Sequence, residues 1–156
     1  MRPILLLAPL LCAHLSHAQS GPEHEAIAAV ERFLHAAAHR DTAAMARTLT
    51  PEGSFHAVFE GPEGGVPSAI THRDYIKAMA KDQGRASERH WDARAEVTGA
   101  IAIVRTAYDL LLDGRPSHCG TNVFTLVQGP SGWRIAGSVS TVRQQGCPPG
   151  PPTGPK

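Results

Sequence analysis

Cysteine is scarce in this chain, three in 156 residues, and no two stand in a Cys-x-x-Cys pair. That removes the common zinc-ribbon and thioredoxin-like readings. Charge of one sign is also missing: Lys and Arg number 15, Asp and Glu 14, with no basic run and no RNA-binding signature. A near-neutral domain has no long-range field to gather phosphates or an anionic membrane surface, which argues against a nucleic-acid partner. No apolar run reaches the roughly 20 residues of a spanning helix. There is no Gly-x-Ser-x-Gly nucleophile elbow, and no internal repeat.

The N-terminus reads as a secretory signal over residues 1–18. Arg2 supplies the positive start, Ile4 to Leu15 the short apolar stretch, and Ser16-His17-Ala18 the small-x-small cleavage rule, with the mature chain beginning at Gln19. A lipoprotein signal wants a small residue before its cysteine, and Leu11 precedes Cys12. Cleavage would remove Arg2 and leave a neutral exported chain, periplasmic or secreted, with no membrane attachment. Cys119 and Cys147 would then remain, an even pair in an exported protein, read as a disulfide closing a loop of 28 residues. A leader over 19–23, one domain over 24–147 and a disordered Pro/Gly-rich tail over 148–156 complete the division.

Periodicity predicts an amphipathic helix over 25–40 and a short second helix over 42–49, capped by Asp41. A short strand follows over 54–59. Residues 60–67, with three glycines and two prolines, read as a loop that could act as a lid or rim. Thr71 caps a third helix over 73–83, with Asp74 at the capping-box position. The second half reads as four strands, 90–98, 101–112, 118–128 and 133–143, turning at Gly99-Ala100, Asp113-Gly114 and 129–132. Helices followed by a meander suggest an α+β, cone-shaped barrel: a strongly curved antiparallel sheet wrapped around three N-terminal helices.

This order of elements resembles the nuclear transport factor 2-like (NTF2-like) superfamily, also called SnoaL-like or ketosteroid-isomerase-like. The stretch His118-Cys119-Gly120-Thr121-Asn122-Val123-Phe124-Thr125-Leu126-Val127, then Gly132-Trp133-Arg134-Ile135, is similar to exported bacterial members, some carrying a lumazine-binding label. The resemblance spans about residues 24 to 147 and implies a fold, not an activity. It also implies dimerisation through the outer sheet face. Similar members carry Asp where this chain has Asn122, and an amide cannot serve as a general acid.

Pairing 128 with 133 and 112 with 115 sets the expected faces. Asn122, Phe124, Leu126, Trp133, Thr141, Ile101, Ile103 and Arg105 should line the concave side. Ala102, Val104, Thr106, Tyr108, Ser138 and Ser140 should lie outside. Ile101, Ile103, Phe124, Leu126 and Trp133 would wall a pocket for a small apolar ligand, with Arg105 and Asn122 as its polar floor. A guanidinium inside an apolar cone must find partners, either a ligand anion or carbonyl or an internal carboxylate such as Glu96. His56 at the mouth and Tyr75 on the third helix complete the candidates; no catalytic set, cofactor or metal site assembles. His35 and His39, spaced i, i+4, sit on the solvated side of the first helix with no third ligand nearby. An isomerase or hydrolase, or a dimeric interaction module with a filled cone, are the alternatives. A carboxylate converging with Tyr75 or His56 would favour the enzyme.

Overall fold

A computed structural model describes residues 21–62, 64–82, 84 and 86–150; the signal reading and residues 151–156 of the tail lie outside them. The first helix, α1 (Pro22–Ala38), starts on Pro22 with Glu23 and Glu25 in its first turn, where proline and acidic side chains suit the helix N-terminus. It buries Ala26, Ala29, Val30, Phe33 and Ala36. Asp41 caps α2 (Thr42–Thr48), its Oδ1 accepting from the Ala44 N–H at 2.8 Å. Next come β1 (Leu49–Gly61), β2 (Gly64–Thr71) and α3 (His72–Lys81). Thr71 caps α3 by accepting from the Asp74 N–H at 3.1 Å. The chain closes with β3 (Ala86–Thr98), β4 (Ile101–Leu112), β5 (Arg115–Gly129) and β6 (Gly132–Val142).

The six strands form one sheet in the order β2-β1-β6-β5-β4-β3. The expected cone-shaped barrel is not what forms. The sheet is open, with β2 and β3 as unjoined edges and α3 leading from one to the other, and it is mixed rather than antiparallel, because β1 runs parallel to β6. Three helices pack on one face without closing a cone. The stretch expected as a loop is a hairpin instead: Gly64 to Pro67 pair with β1. Proline is tolerated there because an edge strand leaves one side unpaired.

Both assumed hairpin registers hold at the turns, with Gln128 opposite Trp133 and Leu112 opposite Arg115. Each then slips by one residue. Beside Pro116, which has no N–H to give the ladder, the pairing jumps from Leu111–Pro116 to Leu110–His118. Beside Gly137 it jumps from Leu126–Ile135 to Thr125–Gly137. A Cβ at Gly137 would crowd the Ser54 carbonyl of β1. A one-residue slip exchanges the two faces. On β4 the inward residues are therefore Ala102, Val104, Thr106 and Tyr108, all buried, while Ile101 and Ile103 are 59% and 44% exposed. Arg105 is exposed, opposite Val123 rather than Asn122. On β6 beyond the bulge, Ser138 and Val142 are buried and Val139 is exposed. Phe124, Leu126, Trp133 and Ile135 point inward and form the core with α1, Met45 and Leu49.

Cys119 and Cys147 form a disulfide with their Cα atoms 5.7 Å apart. Cys119 bridges Arg143, and the chain turns back at Gly146, whose φ of +66° favours glycine.

Candidate functional site

Between α1, α3 and the inner face of the sheet lies a cavity of about 350 Å³, within the usual size range of small-molecule sites. Four aromatic rings cluster in its walls. Phe33 from α1 meets Phe55 of β1 at 5.4 Å, Tyr75 of α3 at 6.2 Å and Phe124 of β5 at 6.3 Å between ring centres. Phe55 and Tyr75 stand edge to face at 4.9 Å, a favoured aromatic geometry.

The polar end is a chain of three side chains from strands β6, β5 and β3. Ser140 on β6 donates its hydroxyl to Asn122 Oδ1 at 2.5 Å. Asn122 on β5 donates through Nδ2 to Glu88 Oε1 at 3.1 Å. His90, two residues along β3, places Nε2 3.6 Å from the same carboxyl oxygen. Period two carries Glu88 and His90 to one face of β3. The bulge beside Gly137 brings Ser138 and Ser140 onto the corresponding face of β6, where the cavity reaches them.

Burial dominates the electrostatics. It pushes the Glu88 carboxyl up to about 7, helped by the negative charge of Asp109 and opposed by the hydrogen bond from Asn122. The Glu88 side chain keeps 31% of its exposure, but this surface borders the cavity, so desolvation still outweighs the hydrogen bond. Burial pushes His90 down to about 4, against the raising effect of Asp109. Its Nδ1 is buried without a hydrogen-bond partner. Tyr75 is pushed up to about 12 by burial, then by Glu88 and Asp82. A carboxyl that keeps its proton near neutrality beside a neutral imidazole can both give and accept a hydrogen bond, and can move a proton.

Of the residues expected to bind ligand, His56, Tyr75, Asn122 and Phe124 border this one cavity. Four others do not. Arg105 and Ile103 face outward, because the Pro116 bulge reverses β4. Thr141 is turned away by the β6 bulge; its hydroxyl accepts from the Thr121 N–H at 3.1 Å and its carbonyl from the Tyr108 hydroxyl at 2.8 Å. Trp133 is buried in the core and borders a separate depression beside His35 and His39. Those two histidines stack at 4.2 Å, and His39 Nδ1 bonds the His35 carbonyl. Among the described residues, no group of three His, Cys, Asp or Glu is placed to hold a metal ion, and no helix is long and apolar enough to cross a membrane.

Sequence reasoning missed Glu88 and His90 because it began the strand at His90. Continuing the alternation back through Glu88 to Ala86 would have aligned them.

No protein-family model and no curated protein matches this chain. Solved structures do. Rv3472 from Mycobacterium tuberculosis, a protein of unknown function, is 24% identical over 76% of this chain and 70% of its own, with a TM-score of 0.62. An NTF2-like protein with a cystatin-like fold from Novosphingobium aromaticivorans is 16% identical over 80% and 84%, TM-score 0.63. The CaMKII hub of S. rosetta is 16% identical over 79% and 98%, TM-score 0.60. None of the three is described as exported or lumazine-binding. A hub domain on the same scaffold shows that likeness at this level speaks for architecture and not for activity. The chain has the fold of the NTF2-like, SnoaL-like and cystatin-like proteins.

Proposed function

We propose that this NTF2-like domain binds a small, mainly apolar molecule in the cavity between α1, α3 and the sheet, its one polar end held at Glu88 and Asn122. The observation that carries the reading is the cavity itself: an open space walled by Phe33, Phe55, Tyr75 and Phe124 and ended by the Ser140–Asn122–Glu88 chain. A filled interior would have favoured a pure interaction module. The test is mass spectrometry of what copurifies with the chain, compared with an Ala37→Phe variant whose added ring occupies the cavity. A small molecule released by the wild type and absent from a folded variant supports the reading; identical extracts from both overturn it.

A second reading, an isomerase or hydrolase using Glu88 as proton carrier, is favoured by one observation: the carboxyl shares the cavity with Tyr75 and His56 and titrates near neutrality. Arg105 has no part in either reading. The outer sheet face, where Ile101, Ile103, Val127 and Val139 are exposed, suits a second copy of the chain; sedimentation equilibrium should show a dimer for the wild type and a monomer for Ile103→Asp. Export is supported by the disulfide, which persists in oxidising compartments; a mature N-terminus at Gln19 is the expected sequencing result.

A further inference from the structure

We infer that the occupant of the cavity is an organic ammonium ion, a protonated amine whose apolar body lies among the aromatic rings and whose charge meets Glu88. The inference rests on the cavity being a ligand site and names the class of ligand it takes.

Three observations lead to it. The first is a missing charge. Among the described residues lining the cavity there is no lysine or arginine. Arg40, which reaches the lining residue Asp82, is engaged with it at 3.2 Å and with the Gly84 carbonyl. A ligand carboxylate or phosphate would enter with nothing to neutralise it, beside a carboxyl already there. The second is the state of Glu88. Asn122 and Ser140 hold it in place, yet it has no cationic partner among the groups that face it: Tyr75 and Asp82 from α3 and its end, His90 on β3, and Tyr108 and Asp109 on β4. Asp109 is itself tied to Arg89, its Oδ1 accepting from Nε at 2.7 Å. Above about 7, where the carboxyl has lost its proton, a neutral ligand would leave it without a counter-charge, whereas an ammonium group supplies one. The third is the wall. The clustered rings of Phe33, Phe55, Tyr75 and Phe124 line the same cavity as Glu88, and aromatic rings attract organic cations.

The test uses the disulfide-intact chain and three probes of one shape: 4-phenylbutylamine, 4-phenylbutanol and 4-phenylbutanoate. Binding is measured by calorimetry and by NMR shifts of the Tyr75 and Phe124 amides. Above neutrality the amine should bind about tenfold more tightly than the alcohol, and the carboxylate most weakly. Glu88→Gln keeps an acceptor for Asn122 while removing the charge. It should remove the advantage of the amine, leaving amine and alcohol with similar affinities. Lowering the pH through about 7 should weaken the amine alone, as Glu88 takes up its proton. An alcohol that binds as tightly as the amine, a carboxylate that binds best, or an amine preference that survives Glu88→Gln overturns the ammonium inference and leaves the cavity reading standing. Absence of binding by all three overturns both.

Discussion

Replacing His90 by leucine should change how the stability of this protein depends on pH, more than it changes the stability itself. Burial raises the folded-state Glu88 carboxyl from 4.5 to about 7. Between those values the folded protein keeps a proton that the unfolded chain has released. The contribution from Glu88 is complete below pH 4.5 and is lost as pH rises through about 7. His90 runs the other way. Its folded-state value is lowered from 6.5 to about 4, so its contribution is present above 6.5 and is lost as pH falls toward 4. With both groups present the slopes oppose, and the pair as a whole holds one proton in either state between about 4.5 and 6.5. His90→Leu leaves only the slope of Glu88. Two pH units at about 1.4 kcal/mol each, reduced for the partial exposure of His90, amount to about 2 kcal/mol. Urea unfolding at several pH values from 4.5 to 6.5 measures this. The wild type minus the variant should grow by about 2 kcal/mol as pH rises across that range. His72 and His118, both lowered by burial, act equally in the two proteins and cancel. Glu88 is common to both proteins, so the difference reports His90, and parallel profiles within about 0.5 kcal/mol would refute the picture of a buried imidazole held neutral beside Glu88.

Three other outcomes follow from the geometry. Leu126→Ala, at a fully buried core position, should cost about 3 kcal/mol by denaturant unfolding, whereas Ile103→Ala, on the outer face, should cost under about 1 kcal/mol; equal costs would mean that β4 faces the other way. Opening the Cys119–Cys147 link with a Cys147→Ser variant should lower stability by about 3 kcal/mol for its 28-residue separation, read as a lower urea midpoint with a steeper slope, because the released unfolded chain exposes more surface. Gly120→Ala would drive a methyl group into the Thr141 carbonyl oxygen and should cost about 2 kcal/mol or more; a neutral result in thermal melts would show that β5 and β6 approach less closely there.

Much of the local structure was legible because local chemistry decides it. The 3.6-residue spacing of Ala26, Val30 and Phe33, the caps at Asp41 and Thr71, and the turns at Gly99, Asp113-Gly114 and Gly132 are settled by neighbours a few residues away. The cysteine pairing was legible for a different reason: if residues 1–18 are a cleaved signal, only one pairing remains. Alternation also placed Phe124, Leu126 and Trp133 inward, since they lie on the near side of each bulge.

The candidate site was legible only in part. Asn122, Phe124, Tyr75 and His56 were singled out, but Arg105 was given the role that Glu88 occupies in space. Parity carries a strand assignment only until the first extra residue. Pro116 and Gly137 each introduce one, and beyond it every side chain exchanges faces.

The sequence by itself determined the helices, every strand but β2, the turns and the disulfide, because each depends on residues close in the chain or on a narrow choice of partners. Tertiary structure alone decided that β1 runs parallel to β6 and that the sheet stays open at β2 and β3. It also decided that Glu88, Asn122 and Ser140, from three different strands, meet at the end of one cavity. Those outcomes depend on where strands far apart in sequence slip against each other. A slip of one residue leaves local propensity untouched while reversing which side chains the interior receives.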